Sequence, residues 1–152
     1  MAVHLQLRAD QIRRYARQIL LREVGGTGQA RLLAGSAQVT GDGRAAEEAA
    51  TYLAAAGVGR LVLDAGLAAR IGARLARMNP DVTVAPADAP GATLLPASAA
   101  APTVRIAPAP EDDRLAGALA AHAALMELTG ARAAFAWDLG ARLAPPASAG
   151  RP

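Results

Sequence analysis

Two glycines and an aspartate in this sequence have the spacing of a nucleotide-binding turn. Gly41, Gly43 and the small residue Ala46 match the pattern G-x-G-x-x-G/A. In that pattern the first glycine turns the chain, the second lets a phosphate approach the backbone, and the third packs a helix on a strand. Asp64 follows roughly 20 residues later, where such a unit carries an acid that binds a ribose. The cofactor-binding candidates are therefore Gly41, Asp42, Gly43 and Asp64.

The elements around these residues must form a βαβ unit to position them. Residues 38–40 are β-prone and lead into the glycine turn. Residues 44–56 are alanine-rich and are followed by Gly57, which predicts a helix that ends at a left-handed glycine. Residues 61–63 then return as an apolar strand. The sequence thus predicts an α/β fold with a Rossmann-like parallel sheet and flanking helices.

Composition excludes several kinds of chemistry. The chain has 152 residues, a length typical of one domain, and a formal net charge of +3. All of its basic residues are arginine, so no lysine can bind a phosphate or form a Schiff base. Cysteine is absent, which excludes disulfides, a catalytic thiol and thiolate zinc sites, and no other metal site is predicted. No apolar segment is long enough to cross a membrane, so we expect a cytoplasmic protein.

The remaining elements follow in chain order. We predict a helix over residues 11–24, rich in arginine, which we interpret as an interfacial or solvated face because it lacks the interleaved aromatics of a nucleic-acid surface. A third strand is predicted at residues 81–85, and the proline- and alanine-rich residues 86–110 suggest a truncated sheet or an irregular covering segment. The last helix ends at Gly130, and its apolar stripe contains Leu115, Leu119, His122 and Met126 and is widened by Leu125 and Leu128. We expect a single domain over residues 1–143, including a short element at 131–143, and a disordered tail at 144–152.

Three short motifs carry a family resemblance: RYARQ at residues 14–18, AGVG at 56–59 and NPDV at 79–82. In this order they resemble the ThiF/MoeB/HesA adenylyltransferases, the bacterial relatives of ubiquitin-activating enzymes. The resemblance implies a Rossmann-like fold that binds ATP and magnesium, adenylates the C-terminal glycine of a ubiquitin-like or sulfur-carrier protein, and works as a dimer. It also implies a role for Arg17, because the second arginine of this motif contacts the ATP phosphates of the partner subunit in the family. Arg17 is therefore a candidate finger in trans, and the alternative is a structural pair with a local carboxylate.

Several positions depart from the family pattern. The family turn reads G-x-G-G-L-G, whereas residues 44–46 here are RAA. Glu47 and Glu48 follow in the first helical turn, where they would repel a triphosphate or satisfy the helix end themselves. Leu75 stands at the approximate place of a family lysine, with Arg74 beside it as an imperfect substitute. The family segment that carries S-N-L-x-R-Q is absent between residues 66 and 71.

Asp64 is a further departure. It falls one place early against the family, and the alternation of strand side chains would then direct it away from the glycine turn. A contact with a ribose and a solvent-exposed strand end both stay open for this residue.

These departures favour a catalytically degenerate ThiF/MoeB-like homologue in which tight binding of ATP with magnesium is disfavoured. Such a pseudoenzyme would be a partner-binding or accessory subunit, either in a homodimer or in a heterodimer with a catalytic ThiF-like subunit. A ubiquitin-like or sulfur-carrier protein would be a further partner. Two alternatives stay open: a small active ATP-dependent adenylyltransferase, and a sensor that binds AMP or a dinucleotide through Gly41 and Gly43.

Overall fold

The computed structural model describes residues 6–92, 101–108 and 114–130. The strands are β1 (Ser36–Val39), β2 (Arg60–Leu63), β3 (Thr83–Pro86) and β4 (Thr103–Ile106). The helices are α1 (Ala9–Arg14), α2 (Ala16–Ile19), α3 (Gly25–Ala34), α4 (Arg44–Ala56), α5 (Ala65–Met78) and α6 (Arg114–Thr129). All strand pairs are parallel, in the order β3-β2-β1-β4. The predicted α/β class with a Rossmann-like parallel sheet is confirmed.

One large apolar cluster joins the helices to the sheet. It contains buried residues of β1, β2 and β4 together with buried residues of α3, α4, α5 and α6. Ala37, Leu61 and Val104 contribute from the strands, and each is fully or almost fully buried. Val62 points to the opposite face, where Ala92 from the turn after β3 packs on it. The described helices therefore bury their apolar residues largely in one core, which fixes the position of the turn after β1.

The helix after the glycine turn has the predicted bounds. Its residues Ala46, Ala49 and Leu53 are buried in the core, so a mostly alanine face is sufficient to dock it on the sheet. Gly57 ends the helix with a left-handed φ of 87°, a conformation that favours glycine. This helix thus begins immediately beyond the turn that carries the candidate residues.

The N-terminal segment differs from the single predicted helix over residues 11–24. It breaks at Tyr15 into α1 and α2, and residues 20–24 form turns. The break coincides with the burial of Tyr15, whose side chain is 2% exposed, whereas Ile12 on the predicted apolar face is 50% exposed. We call residues 6–24 the N-terminal arm.

The segment after β3 contributes one further strand to a truncated four-stranded sheet, so the first of the two alternatives predicted for it is confirmed. Residues 103–106 are not irregular, because they form β4 and pair with β1 from Ser36 to Val39. Residues 87–102 connect β3 to β4 and exceed the dozen or so residues that a parallel crossover needs. Residues 93–100, the element at 131–143 and the tail at 144–152 lie outside the described residues.

The last helix buries only part of the predicted face: Leu128 lies in the core and Leu125 packs against it. Gly117, Ala121, Ala124 and Leu128 are buried, whereas Leu115 is 59% exposed and His122 is exposed. The reason is close packing: a Cβ added at Gly117 would lie 2.2 Å from the carbonyl oxygen of Ala45 in α4. Small residues permit this approach and larger ones do not.

Among the described helices, none combines the length and apolarity needed to cross a membrane.

Candidate functional site

The glycine turn lies at the carboxyl end of β1 and opens directly into α4. Gly41 has a φ of +107°, so the turn needs a residue without a Cβ there. Gly43 is the N-cap of α4 with an ordinary φ of −77°, and a Cβ added to it would meet no atom within 4 Å. The backbone therefore requires the first glycine, whereas the second leaves open space beside the helix N-terminus.

Asp64 lies beside this turn. The N–H of Gly41 donates a hydrogen bond of 2.6 Å to Asp64 Oδ2. The expectation that Asp64 points away from the turn is wrong, because β2 ends at Leu63 and Asp64 is already the N-cap of α5. The alternation of strand side chains does not govern a residue that has left the strand. Within the described residues, Asp64 Oδ1 makes no hydrogen bond.

Two arginines of α5 complete the surroundings of the turn. Arg70 donates a hydrogen bond of 2.5 Å to the backbone carbonyl of Asp42. Arg74 donates one of 2.9 Å to Glu47 in the first turn of α4, and Arg70 lies 3.9 Å from the same carboxylate. Glu47 thus pairs with side chains from α5 and offsets part of their positive charge beside the helix N-terminus. Sequence reasoning missed Arg70, although its i,i+4 spacing from Arg74 is the signal of a shared helix face.

Leu75 cannot replace the family lysine. Its side chain is fully buried in the main core, where it helps to pack α5 on the sheet. Arg74, the substitute considered from the sequence, reaches the first turn of α4 but is engaged by Glu47 and Thr51. Arg70 and Arg74 are therefore both paired, whereas the exposed Arg44 beside Gly43 makes no hydrogen bond or ion pair with a described residue.

A second polar cluster fastens the N-terminal arm to the loop after α5. Four side chains of the arm contact the carboxylate of Asp81: Arg8, Gln11, Arg14 and Tyr15. Burial alone would raise the pKa of Asp81, but the hydrogen bonds from these four groups outweigh it and hold the pKa below its ordinary value of 3.8. Burial raises the pKa of the Tyr15 phenol above 10.0. Two of the family-like motifs, RYARQ and NPDV, thus contact each other.

Arg17 differs from Arg14, the other arginine of the RYARQ motif. It lies in α2 and is exposed, and it makes no hydrogen bond or ion pair with any described residue. The alternative role was a structural ion pair with a local carboxylate. No carboxylate among the described residues forms such a pair with Arg17. The glycine turn and Arg17 belong to different parts of the molecule, and no described contact joins them.

No grouping of three or more His, Cys, Asp or Glu side chains suited to a metal ion occurs within the described ranges. The candidate site consists of a parallel βαβ unit, a glycine turn that is open at Gly43, and the acid Asp64 beside Gly41. These features define a nucleotide-binding-like α/β domain.

Comparison with known proteins narrows this class. The chain is 51% identical over 63 residues to the adenylyltransferase and sulfurtransferase MOCS3 of Mus musculus, and 49% identical over 59 residues to the SAMP-activating enzyme E1 of Haloferax volcanii. The matched segments are 41% and 39% of this chain but only 14% and 22% of those proteins. No protein-family model matches the chain. Both relatives are ThiF/MoeB-family adenylyltransferases, so the resemblance seen in the motifs is confirmed for a partial region of the sequence.

Proposed function

We propose that this chain is an accessory subunit of a ThiF/MoeB-type adenylating complex. In this role it pairs with a catalytic ThiF-like subunit that adenylates a ubiquitin-like or sulfur-carrier protein. The two relatives described above are adenylyltransferases of that type, which supports the choice of partner. The observation that carries the proposal is Arg17, an exposed arginine without a described partner, which follows closely on two motif residues, Arg14 and Tyr15, that are bound to Asp81.

A guanidinium in this state is suited to act on a phosphate in another subunit. Arginine offers several N–H donors in a fixed planar arrangement and stays charged, so it stabilises phosphate oxygens when it is brought to them. Arg14 and Arg8 cannot serve in this way, because both are bound to Asp81. Arg17 is free to stabilise the charge that develops on ATP in the catalytic subunit.

The state of the glycine turn supports an accessory role over an autonomous enzyme. The carboxylate of Glu47 lies in the first turn of α4, where a triphosphate would meet the helix N-terminus, and it forms ion pairs with Arg70 and Arg74 of α5. A ligand must displace these ion pairs and accept a carboxylate close to its own negative charge. Arg44 follows Gly43 in the helix, where the family has a further glycine that makes room for ligand.

The experiment is ATP–pyrophosphate exchange by a catalytic ThiF-like subunit and its sulfur-carrier protein, with and without this chain. We expect this chain to raise the exchange rate, and Arg17→Ala to lower the stimulated rate by about 100-fold, the effect of losing one charge-stabilising donor. Arg22→Ala is the matched control, since Arg22 is another exposed arginine of the same arm. Equal rates with wild type and Arg17→Ala would refute the proposal. Exchange by this chain alone would show instead that it is a small active adenylyltransferase.

A second function is favoured by a separate observation. Asp64 faces the turn and keeps Oδ1 without a hydrogen bond to any described residue, an arrangement that could accept a ribose hydroxyl. Gly43 leaves open space for a phosphate beside it. A sensor of AMP or of a dinucleotide needs these groups and no catalytic ones. Nucleotide that is retained through purification under native conditions, and lost in Asp64→Ala, would favour this sensor over the accessory subunit.

A further inference from the structure

We propose that Asp81 is a positioning residue that holds the N-terminal arm in the orientation from which Arg17 is presented. The inference rests on the proposed function and adds to it a specific anchor, which lies 64 residues away in the sequence. Asp81 itself would touch neither nucleotide nor carrier protein. It would act through the arm.

Within the described residues, the carboxylate of Asp81 is contacted by side chains of the N-terminal arm. Arg8 Nη2 and Gln11 Nε2 donate to Oδ1 at 2.9 Å and 3.1 Å, and the Tyr15 hydroxyl donates to Oδ2 at 3.0 Å. Arg14 also donates to Oδ2. The side chain of Asp81 is only 6% exposed, so water competes little for these bonds. Each carboxylate oxygen therefore receives two donors from the arm.

The loop that carries Asp81 is itself fixed to the body of the domain. Asn79 Nδ2 donates to the carbonyl oxygen of Ala54 at 2.8 Å, and Asn79 Oδ1 accepts the backbone N–H of Asp81 at 3.1 Å. Asn79 also contacts the Tyr15 hydroxyl at 2.9 Å. The anchor thus connects the arm to the end of α4 and not merely to a surface loop.

Backbone hydrogen bonds connect the anchored Tyr15 to the helical turn that contains Arg17. The N–H groups of Gln18 and Ile19 donate to the carbonyl oxygen of Tyr15 at 2.9 Å and 3.0 Å. Arg17 therefore lies in a turn that begins at an anchored residue. Loss of the Asp81 charge would leave Arg8 and Arg14 close together with only Asp10 to compensate them, which disfavours the docked arm.

The first test measures the arm directly. Amide hydrogen exchange is compared for the whole chain in wild type, Asp81→Asn and Asp88→Asn; Asp88 is an exposed carboxylate of the following turn and serves as the control. Asp81→Asn should accelerate exchange of the amides of residues 18–20 by about tenfold or more, with β1 and α4 unchanged. Unchanged exchange in residues 18–20 would overturn the proposal. Should Asp81→Asn fail to fold, Tyr15→Phe removes a single donor and should accelerate the same amides to a smaller extent.

The second test links the anchor to Arg17. In the exchange assay with the catalytic subunit, Asp81→Asn should lower the stimulated rate, and it should cause no further loss in an Arg17→Ala background. Additive losses would show that Asp81 does not act through Arg17 and would overturn the inference. A normal rate in Arg17→Ala alone would refute the proposed function instead, so the two failures are distinguishable. A purely structural role for Asp81 would lower the rate equally in both backgrounds.

Discussion

The ring of Tyr15 lies directly against Gly57, so closely that a Cβ added to the glycine would be 2.7 Å from three atoms of the tyrosine side chain. Gly57 thus has two functions. It ends α4 in a left-handed conformation, and it leaves the space in which the anchor of the N-terminal arm is buried.

The first prediction tests this double role. Gly57→Ala should lower the free energy of unfolding through the positive φ, a strain of about 1–3 kcal/mol, and further through the clash with Tyr15. Gly91→Ala is the control, because Gly91 also has a positive φ of 76° but has no atom within 4 Å of the added Cβ. Urea denaturation should show the larger loss for Gly57→Ala. Equal losses in the two variants would mean that the Tyr15 contact adds nothing.

The second prediction concerns two glycines inside helices. Gly72→Ala in α5 should stabilise the protein by about 0.5–1 kcal/mol, because the new Cβ would meet only Val84 at an ordinary 3.5 Å. Gly117→Ala in α6 should destabilise it by about 1–3 kcal/mol, because its Cβ would lie 2.2 Å from a backbone oxygen of α4. Thermal unfolding of both variants measures whether each substitution raises or lowers the stability of the protein. A stabilised Gly117→Ala would show that α6 does not pack on α4 as described.

Features set by local signals were predictable from the sequence. The helix at residues 44–56 and its end at Gly57 follow from alanine propensity and from a glycine at the position after the helix. The parallel sheet followed from the βαβ pattern. The turn was also placed correctly, since Gly41 has the positive φ that its position in the pattern requires.

Features set by contacts distant in sequence were not predictable. The break at Tyr15 accompanies bonds to Asn79 and Asp81, more than 60 residues away, which no periodicity reveals. The buried face of α6 is predictable only in part: Leu125 and Leu128 pack in the core as expected, but close packing on α4 selects Gly117 and its small neighbours rather than Leu115. The direction of the Asp64 side chain was predicted wrongly, because the prediction depends on knowing to a single residue where β2 ends.

The third prediction follows from the pKa of Asp81. Hydrogen bonds from the arm hold this pKa below its ordinary value of 3.8, so the ionised carboxylate contributes stability above the unfolded-state pKa. That contribution is lost as the pH falls through the folded-state pKa. Urea midpoints measured between about pH 5 and about pH 2 should therefore fall less steeply in Asp81→Asn than in wild type.

The control for this pH dependence is Asp88→Asn, which should keep the wild-type slope. Some slope should persist in Asp81→Asn, because the hydrogen bond from Arg8 also lowers the pKa of Asp10. If Asp81→Asn and wild type had the same slope, the carboxylate of Asp81 would not be stabilised by the arm.

The last prediction tests whether the glycine turn takes a nucleotide in this chain alone. Because Glu47 occupies the first turn of α4 and pairs with Arg74, calorimetric titration with Mg-ATP should give no measurable heat. Gly43→Val is the informative variant: the added side chain has open space and an ordinary backbone conformation, so the protein should fold normally while the phosphate approach is blocked. The contrary result would be micromolar binding by wild type that Gly43→Val abolishes without a change in thermal stability. It would show that Glu47 does not prevent a nucleotide from binding at the turn. In that case the sensor function supported by Asp64 would replace the accessory role.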